Sequence, residues 1–276
     1  MNNYQQFADV GYVLLSGEIP EAVLGGLREA GELLFKEIEE DKNQGARHQT
    51  VLKPNVFHPA YIEFLNLPNL NETALEILDC DDLVFPGLAC LLGDRKHAFC
   101  KWHRDFPDSD PELIELLDHP NNCIQFNCAV YPDECLWIIP GSHCHRTREE
   151  EASYAAKFND LQFIDEWDKV MAAEPTAPGG MPGAFNARLG PGDCLLYNPF
   201  LWHSAVYRPE NKRMTLHGGY RLPANIDQYY CQRWGLPHNP WLQEPDYLGD
   251  TGPWFTPQLK RFQHYANKYP KGPAKD

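Results

Sequence analysis

The 276-residue chain has no apolar run approaching the roughly 20 residues of a membrane-spanning helix, no internal repeat, no low-complexity tract and no Cys-x-x-Cys pair. Basic residues are also scarce: 24 Lys and Arg stand against 39 Asp and Glu, a formal net charge of −15. Without clustered cations the chain is not expected to bind nucleic acid or an anionic membrane, and a polyanionic substrate would need a local basic pocket. The nine cysteines, at 80, 90, 100, 123, 128, 135, 144, 194 and 231, are odd in number and scattered. That pattern argues against a disulfide framework or a zinc knuckle and for reduced thiols packed as small apolar groups. The opening Met1-Asn2-Asn3-Tyr4-Gln5-Gln6 lacks the basic-then-apolar order of a secretory signal. A soluble, cytoplasmic protein is expected; the sequence carries no signal for oligomeric state.

What is present suffices for one core. Apolar residues make up 43% and aromatics 12%, in a length that β-rich folds commonly use as a single domain, here residues 1–276. The chemistry centres on Lys101-Trp102-His103-Arg104-Asp105-Phe106. In an extended segment His103 and Asp105 share a face, so an imidazole and a carboxylate can hold one metal ion. The best third ligand is His203, in Trp202-His203-Ser204 after the strand-like run Asp193-Cys194-Leu195-Leu196-Tyr197. Two His and one carboxylate on one face of an octahedron are the set of non-haem Fe(II) sites, which leaves three positions open. Ten residues after His203, the run Lys212-Arg213-Met214-Thr215-Leu216-His217 reads as a strand with Arg213 and Thr215 on one face. The fixed charge and planar fork of Arg213 suit the distal carboxylate of a keto-acid co-substrate such as 2-oxoglutarate. Zinc also accepts two His and a carboxylate, so a zinc-dependent hydrolase or lyase stays open, as does a non-catalytic binding module.

Taken together, His103-x-Asp105, Pro140-Gly141-Ser142-His143 closing a strand, Gly192-Asp193 before a strand, Trp202-His203 and Arg213 resemble the phytanoyl-CoA dioxygenase family of Fe(II)/2-oxoglutarate-dependent oxygenases. The stretch Phe7-Ala8-Asp9-Val10-Gly11-Tyr12-Val13-Leu14-Leu15, followed by an amphipathic helix, extends the resemblance from about Phe7 to Tyr220. It implies a mainly β fold with peripheral helices: a double-stranded β-helix, the cupin-like jelly-roll, with the metal between two antiparallel sheets. It further implies Fe(II) on His103, Asp105 and His203, 2-oxoglutarate at Arg213, and O2-dependent oxidation of an aliphatic C–H of a small-molecule substrate. Hydroxylation with release of succinate and CO2 is the default outcome. Asp105 argues against halogenation, because related halogenases carry a small residue at this position. Ala205 departs from the family pattern, in which a hydroxyl residue often stands two positions after the distal His; Ser204 or Thr215 is expected to compensate.

Alternation over 124–131 places Gln125, Asn127 and Ala129 on one face. Gln125, Asn127 and Thr215 are expected to join Arg213 around the co-substrate, and Lys53, Asn55 and Lys101 to contact a polar substrate. Strands are expected over 12–15, 83–92, 99–106, 124–131 and 135–139, the third with Phe99, Lys101, His103 and Asp105 on one face. Val23, Leu24, Leu27, Leu34 and Ile38 recur at helical spacing after Pro20, and a second helix is expected over 71–78 with Asn71 as its cap. Lys53-Pro54-Asn55 and His58-Pro59 are expected to break any regular element. Residues 149–189, helical around 152–171 and rich in Pro and Gly over 175–183, have the length of a lid. Residues 228–276 read as a tail wrapping the barrel. His143 is expected to be satisfied by backbone groups and His217 to be a hydrogen-bonded interior histidine, while Trp102 and Trp202 wall the ligands.

Overall fold

The structure, a computed structural model, describes residues 1–40, 47–48, 50–85, 87–93, 96–105, 119–225 and 235–270; the first residues of the expected tail, 228–234, lie outside these. In chain order come α1 (Asn3–Val10), β1 (Tyr12–Leu15), α2 (Glu21–Glu40), β2 (Arg47–His48), α3 (Pro59–Leu65) and α4 (Pro68–Leu78). Strands β3 (Leu88–Leu92), β4 (Ala98–His103), β5 (Cys123–Ala129) and β6 (Leu136–Ile138) follow, then α5 (Glu149–Ala156), β7 (Ile164–Glu166), α6 (Trp167–Ala173) and β8 (Phe185–Asn186). The last elements are β9 (Cys194–Tyr197), β10 (His203–Tyr207), β11 (Met214–Arg221) and α7 (Gly252–Lys268). Two antiparallel sheets result, one ordered β1-β9-β5-β11-β3-β2 and the other β7-β4-β10-β6-β8. This is the expected double-stranded β-helix. Among the described residues no helix is long and apolar enough to cross a membrane.

The pleat of the six-stranded sheet separates two kinds of side chain. Ile124, Phe126 and Cys128 of β5, Cys194 and Leu196 of β9, and Met214, Leu216 and Tyr220 of β11 join one core with Leu24, Leu27 and Leu34 of α2, Phe64 of α3, Ile77 of α4 and Phe255, Leu259 and Phe262 of α7. Burying such a side chain stabilises by about 1.5–3 kcal/mol. The alternate set, Gln125, Asn127, Arg213, Thr215 and His217, therefore faces the space between the sheets. A one-residue slip of β11 would push Arg213 and His217 into the apolar helical layer, so that layer fixes the register of the site.

Several elements differ from the sequence expectation. Pro59 does not break structure but starts α3, where a missing N–H costs nothing, and His58 caps it, its Nδ1 accepting from Ala60 N at 3.2 Å. Pro68 likewise starts α4, three residues before the expected Asn71. Asn71 is buried inside the helix and donates to Leu65 O and Leu67 O at 3.0 and 2.8 Å. The tail is largely helical over its described part: α7 lays Phe255, Leu259, Phe262 and Ala266 on the core despite Pro257 in its interior.

Residues 149–189 supply both edges of the five-stranded sheet. Strand β7 pairs with β4, Phe99 opposite Asp165, and β8 pairs with β6, Trp137 opposite Asn186. Strand β7 also divides the helix expected at 152–171 into α5 and α6. Tyr154, Phe158, Val170 and Met181 pack with Phe99, Trp102 and Trp202 on the outer face of this sheet. Parts of the stretch expected as a lid are thus built into the sheet, and Phe163, at the end of a turn, stands beside His103.

Candidate metal and carboxylate site

Strand β10 runs beside β4 with His203 opposite His103, yet Ala205 is opposite Cys100. Two steps along β10 match three along β4, so β4 carries an extra residue between Cys100 and His103, a bulge. The bulge changes the facing of the strand. Phe99 lies on the outer face against Phe158, while His103 turns inward, so Phe99 and His103 do not share a face as a regular strand would require. The strand also ends at His103; Asp105 sits in the bend that follows, its N–H donating to Pro199 O at 3.2 Å. Lys101 Nζ donates to Leu161 O at 3.2 Å, near enough to His103 for its charge to bear on that ring.

His103 Nε2 and His203 Nε2 each stand 3.7 Å from Asp105 Oδ1, and the three ligand atoms lie within 4.8 Å of one another. The two rings are 4.1 Å apart by centroid. Each imidazole is aimed by its other nitrogen: His103 Nδ1 donates to Lys101 O and His203 Nδ1 to Leu201 O, both at 2.8 Å. Those bonds place the proton on Nδ1 and leave each Nε2 lone pair directed at the common centre. Burial, then the facing His203, pushes the pKa of His103 down to about 3, so this ring is neutral and a competent ligand at ordinary pH. Burial works to raise the Asp105 carboxyl, but His203, His103 and a hydrogen bond from Gln125 hold it below its usual range. Gln125 Nε2 donates to Asp105 Oδ2, turning Oδ1 toward the rings. The side chains of Asp105, His103 and His203 are 33%, 21% and 9% exposed, so the centre opens outward past Asp105. Phe163, half exposed, packs edge-on to His103 at 4.7 Å and forms one wall of that opening.

Arg213 lies just before β11, on the face that carries Thr215 and His217. Four residues of extended chain, roughly 13 Å, separate Arg213 from His217, which lies near enough to Asp105 to bear on its carboxyl. Strand β10 covers the same span in the other sheet: His203 is at the metal end and Tyr207 at the other, its ring 5.4 Å below the Arg213 guanidinium. Arg213 is not free of protein partners. Its Nε donates to Asp133 Oδ2 at 3.0 Å, and both side chains are almost wholly buried. Thr215 Oγ1 donates to the same oxygen, and Asp133 Oδ1 accepts from Cys135 N at 2.8 Å. Burial would raise the Asp133 carboxyl, but Arg213 and these two donors hold it below its usual value. The outcome is a guanidinium fixed through Nε, with Nη1 buried and without a hydrogen-bond partner among the described residues. A buried donor left unmade is costly, so a carboxylate delivered to this end would satisfy it.

The other expected contacts divide. Asn127 lies opposite His217 in the register and accepts from its Nδ1 at 2.8 Å, so His217 is the interior hydrogen-bonded histidine expected. Ser204 gives its hydroxyl to Cys100 O at 2.8 Å and Thr215 gives its own to Asp133. Lys53 is half-buried and Asn55 exposed in the turn after β2, where Val51 N donates to Leu88 O at 2.8 Å. His143 Nε2 donates to Ala8 O at 3.1 Å, a backbone contact as expected. It packs under Gly11, whose φ of 82° ends α1 and where a Cβ would meet His143 Nδ1 at 2.7 Å. Asp133 and Gln125's grip on Asp105 were the parts sequence reasoning missed or assigned otherwise. The only signal for Asp133 was an acid in the Pro132-Asp133 turn.

No family profile matches the sequence, and no curated protein matches it. Solved structures do match in fold. AviO1 from Streptomyces viridochromogenes Tue57 superposes with a TM-score of 0.54 at 17% identity, covering 80% of this chain and 94% of that one. The epimerase SnoN, solved with Fe3+, alpha ketoglutarate and a nogalamycin compound, gives 0.52 at 17% identity over 79% and 81%. EctD from S. alaskensis, solved with 2-oxoglutarate and 5-hydroxyectoine, gives 0.53 at 15% identity over 80% and 76%. These likenesses place the chain in the jelly-roll fold that non-haem iron and 2-oxoglutarate enzymes use.

Proposed function

We propose that the chain is an Fe(II)/2-oxoglutarate-dependent oxygenase of the phytanoyl-CoA dioxygenase type, cytoplasmic, acting on a small molecule. The observation that carries this reading is the pairing of two features across one interior. A His103-Asp105-His203 cluster directs its free ligand atoms at a common point, and a buried arginine offers an unmade donor from a backbone position about 13 Å along the strand from His217. The Arg213 side chain and a five-carbon dicarboxylate together fill such a span. Fe(II) bound there supplies the chemistry that spends O2 and 2-oxoglutarate to give succinate, CO2 and a substrate C–H converted to C–OH. The residues of this chain do the rest. His103 and His203 present their Nε2 atoms, Asp105 supplies the negative charge, Arg213 anchors the co-substrate, and Phe163 with the turn before it shields the open side from water. Lys53 and Asn55, on the turn after β2, meet the polar part of the substrate.

The same fold hosts an epimerase and a protein solved with a hydroxylated ligand, so hydroxylation is the outcome proposed here and the zinc hydrolase is the rival. Anaerobic titration with Fe(II) and then 2-oxoglutarate tests both. A visible charge-transfer band is expected in the wild type. Arg213→Lys keeps the charge against Asp133 but loses the fork, and should need about tenfold more co-substrate. Iron binding without any band overturns the reading.

A further inference from the structure

Glu151 lies on α5, outside the space between the sheets, and is 2% exposed. Such a carboxylate is rarely buried without a purpose its partners reveal. Its Oε2 accepts from Trp202 Nε1 at 3.2 Å and from Arg148 N at 2.9 Å, and Arg104 Nη2 stands 3.9 Å from the same oxygen. Oε1 faces His145 Nε2 at 3.7 Å. Arg104 is the residue between the ligands His103 and Asp105, and Trp202 immediately precedes the ligand His203. The two partners also touch each other, the Arg104 guanidinium lying over the Trp202 ring at 5.5 Å. Arg104 Nη1 donates to His145 O at 2.9 Å, and Trp202 N donates to Ser142 Oγ at 2.9 Å.

From this geometry we infer that Glu151 is a positioning residue of the metal centre. One carboxylate on α5 contacts the two segments that deliver the three ligands, the bend after β4 and the residue before β10. Arg104 lies between His103 and Asp105 and Trp202 directly precedes His203, and both side chains meet Glu151 outside the space between the sheets. Fixing Arg104 and Trp202 on the outer side fixes the pitch at which His103, Asp105 and His203 enter the interior. The 149–189 stretch then acts as a buttress to the metal, a role distinct from covering the mouth. Supporting groups around metal ligands commonly contribute tenfold or more to affinity, and this one acts through two of them.

The inference rests on the metal reading, and the test separates the two. Co(II) serves as the probe, titrated into the whole chain while its visible d–d bands are recorded. Glu151→Gln keeps an acceptor for Trp202 but removes the charge from Arg104, and should raise the Kd for Co(II) by at least about fivefold with altered band intensities. Glu151→Asp, which keeps the charge one methylene short, should raise it by about threefold and stands in if the Gln variant does not fold. Val170→Ala loosens the same outer cluster while leaving Glu151, Arg104 and Trp202 themselves unchanged, and should bind Co(II) within about twofold of wild type with an unchanged spectrum. Folded Glu151 variants with the wild-type Kd and spectrum would overturn the inference and leave the metal site standing. Failure of the wild type to bind one Co(II) would overturn the metal reading instead.

Discussion

At one end of the space between the sheets Asp105 is 33% exposed and His103 21%, while at the other Arg213 and Asp133 are 3% and 2% exposed. The metal end is assembled from a bulged strand, a bend and the first residue of β10, and it opens past Asp105 and Phe163. The arginine end is a sealed ion pair with a hydroxyl, a backbone N–H and an aromatic ring around it. The difference assigns labour. A sealed cation can hold only something that reaches it from inside, which suits the tail of a co-substrate. An open ligand cluster can meet a substrate from outside.

If the ends are so different, breaking them should have different costs. Asp133→Ala leaves the Arg213 charge buried without its partner, and the expected loss of stability is about 3–5 kcal/mol in urea unfolding. The pair replaced together, Asp133→Leu with Arg213→Met, should lose far less, because no unpaired charge remains. His203→Ala, by contrast, should leave the unfolding free energy of the metal-free chain within about 1 kcal/mol of wild type while lowering Fe(II) affinity more than about a hundredfold. Equal destabilisation by Asp133→Ala and His203→Ala would erase the distinction between a sealed end and an open one.

The contrast also explains what could be read in advance. The candidate metal ligands are legible because such chemistry needs particular residue types at particular offsets, and in the structure His103, Asp105 and His203 lie together. What holds them is not legible from local pattern. The β4 bulge, which turns His103 inward while Phe99 points out, leaves no mark in the alternation of Phe99-Cys100-Lys101-Trp102-His103. Asp133 reaches Arg213 across 80 residues of sequence, a contact that only the closure of the barrel creates. Pro59, Pro68 and Pro253 were signals of the opposite kind. Proline is read as a breaker, but at the first turn it initiates a helix, and α3, α4 and α7 all begin that way. The stripe Phe255, Leu259, Phe262 and Ala266 was present in the tail and masked by Pro257.

Acid provides a smaller perturbation that should spare the arginine end. Asp133 has its carboxyl held below its usual 3.8, so the stability it contributes is present above 3.8 and is lost only as pH falls below that. His143 behaves in the same sense at a higher pH. Burial lowers its pKa from 6.5 to about 4, so between 6.5 and about 4 the unfolded chain binds a proton that the folded chain does not. Stability is full above 6.5 and declines on acidification, by about 2 kcal/mol at pH 5 relative to pH 8 from this group. Urea midpoints of the metal-free chain at the two pH values should show that fall together with a similar one from His103, whose pKa burial lowers to about 3, and His143→Gln should remove about half of the total. A slope unchanged in His143→Gln would move the acid sensitivity elsewhere, the two ends of the interior included.

The finest discrimination concerns Gln125, which the alternation of β5 places toward the co-substrate but whose amide is spent on Asp105 Oδ2. That bond belongs to the open end. A carboxylate with one oxygen held keeps the other facing the imidazoles; released, it rotates toward the solvent it already meets. Gln125→Leu should therefore weaken Fe(II) binding by about tenfold, while the metal-loaded protein should take up 2-oxoglutarate with unchanged affinity, since Arg213, Asp133 and Thr215 lie at the other end. Calorimetry separates the two events. A Gln125→Leu variant with normal iron affinity and weakened 2-oxoglutarate binding would show that Gln125 serves the co-substrate, and that the boundary between the ends runs on the other side of β5.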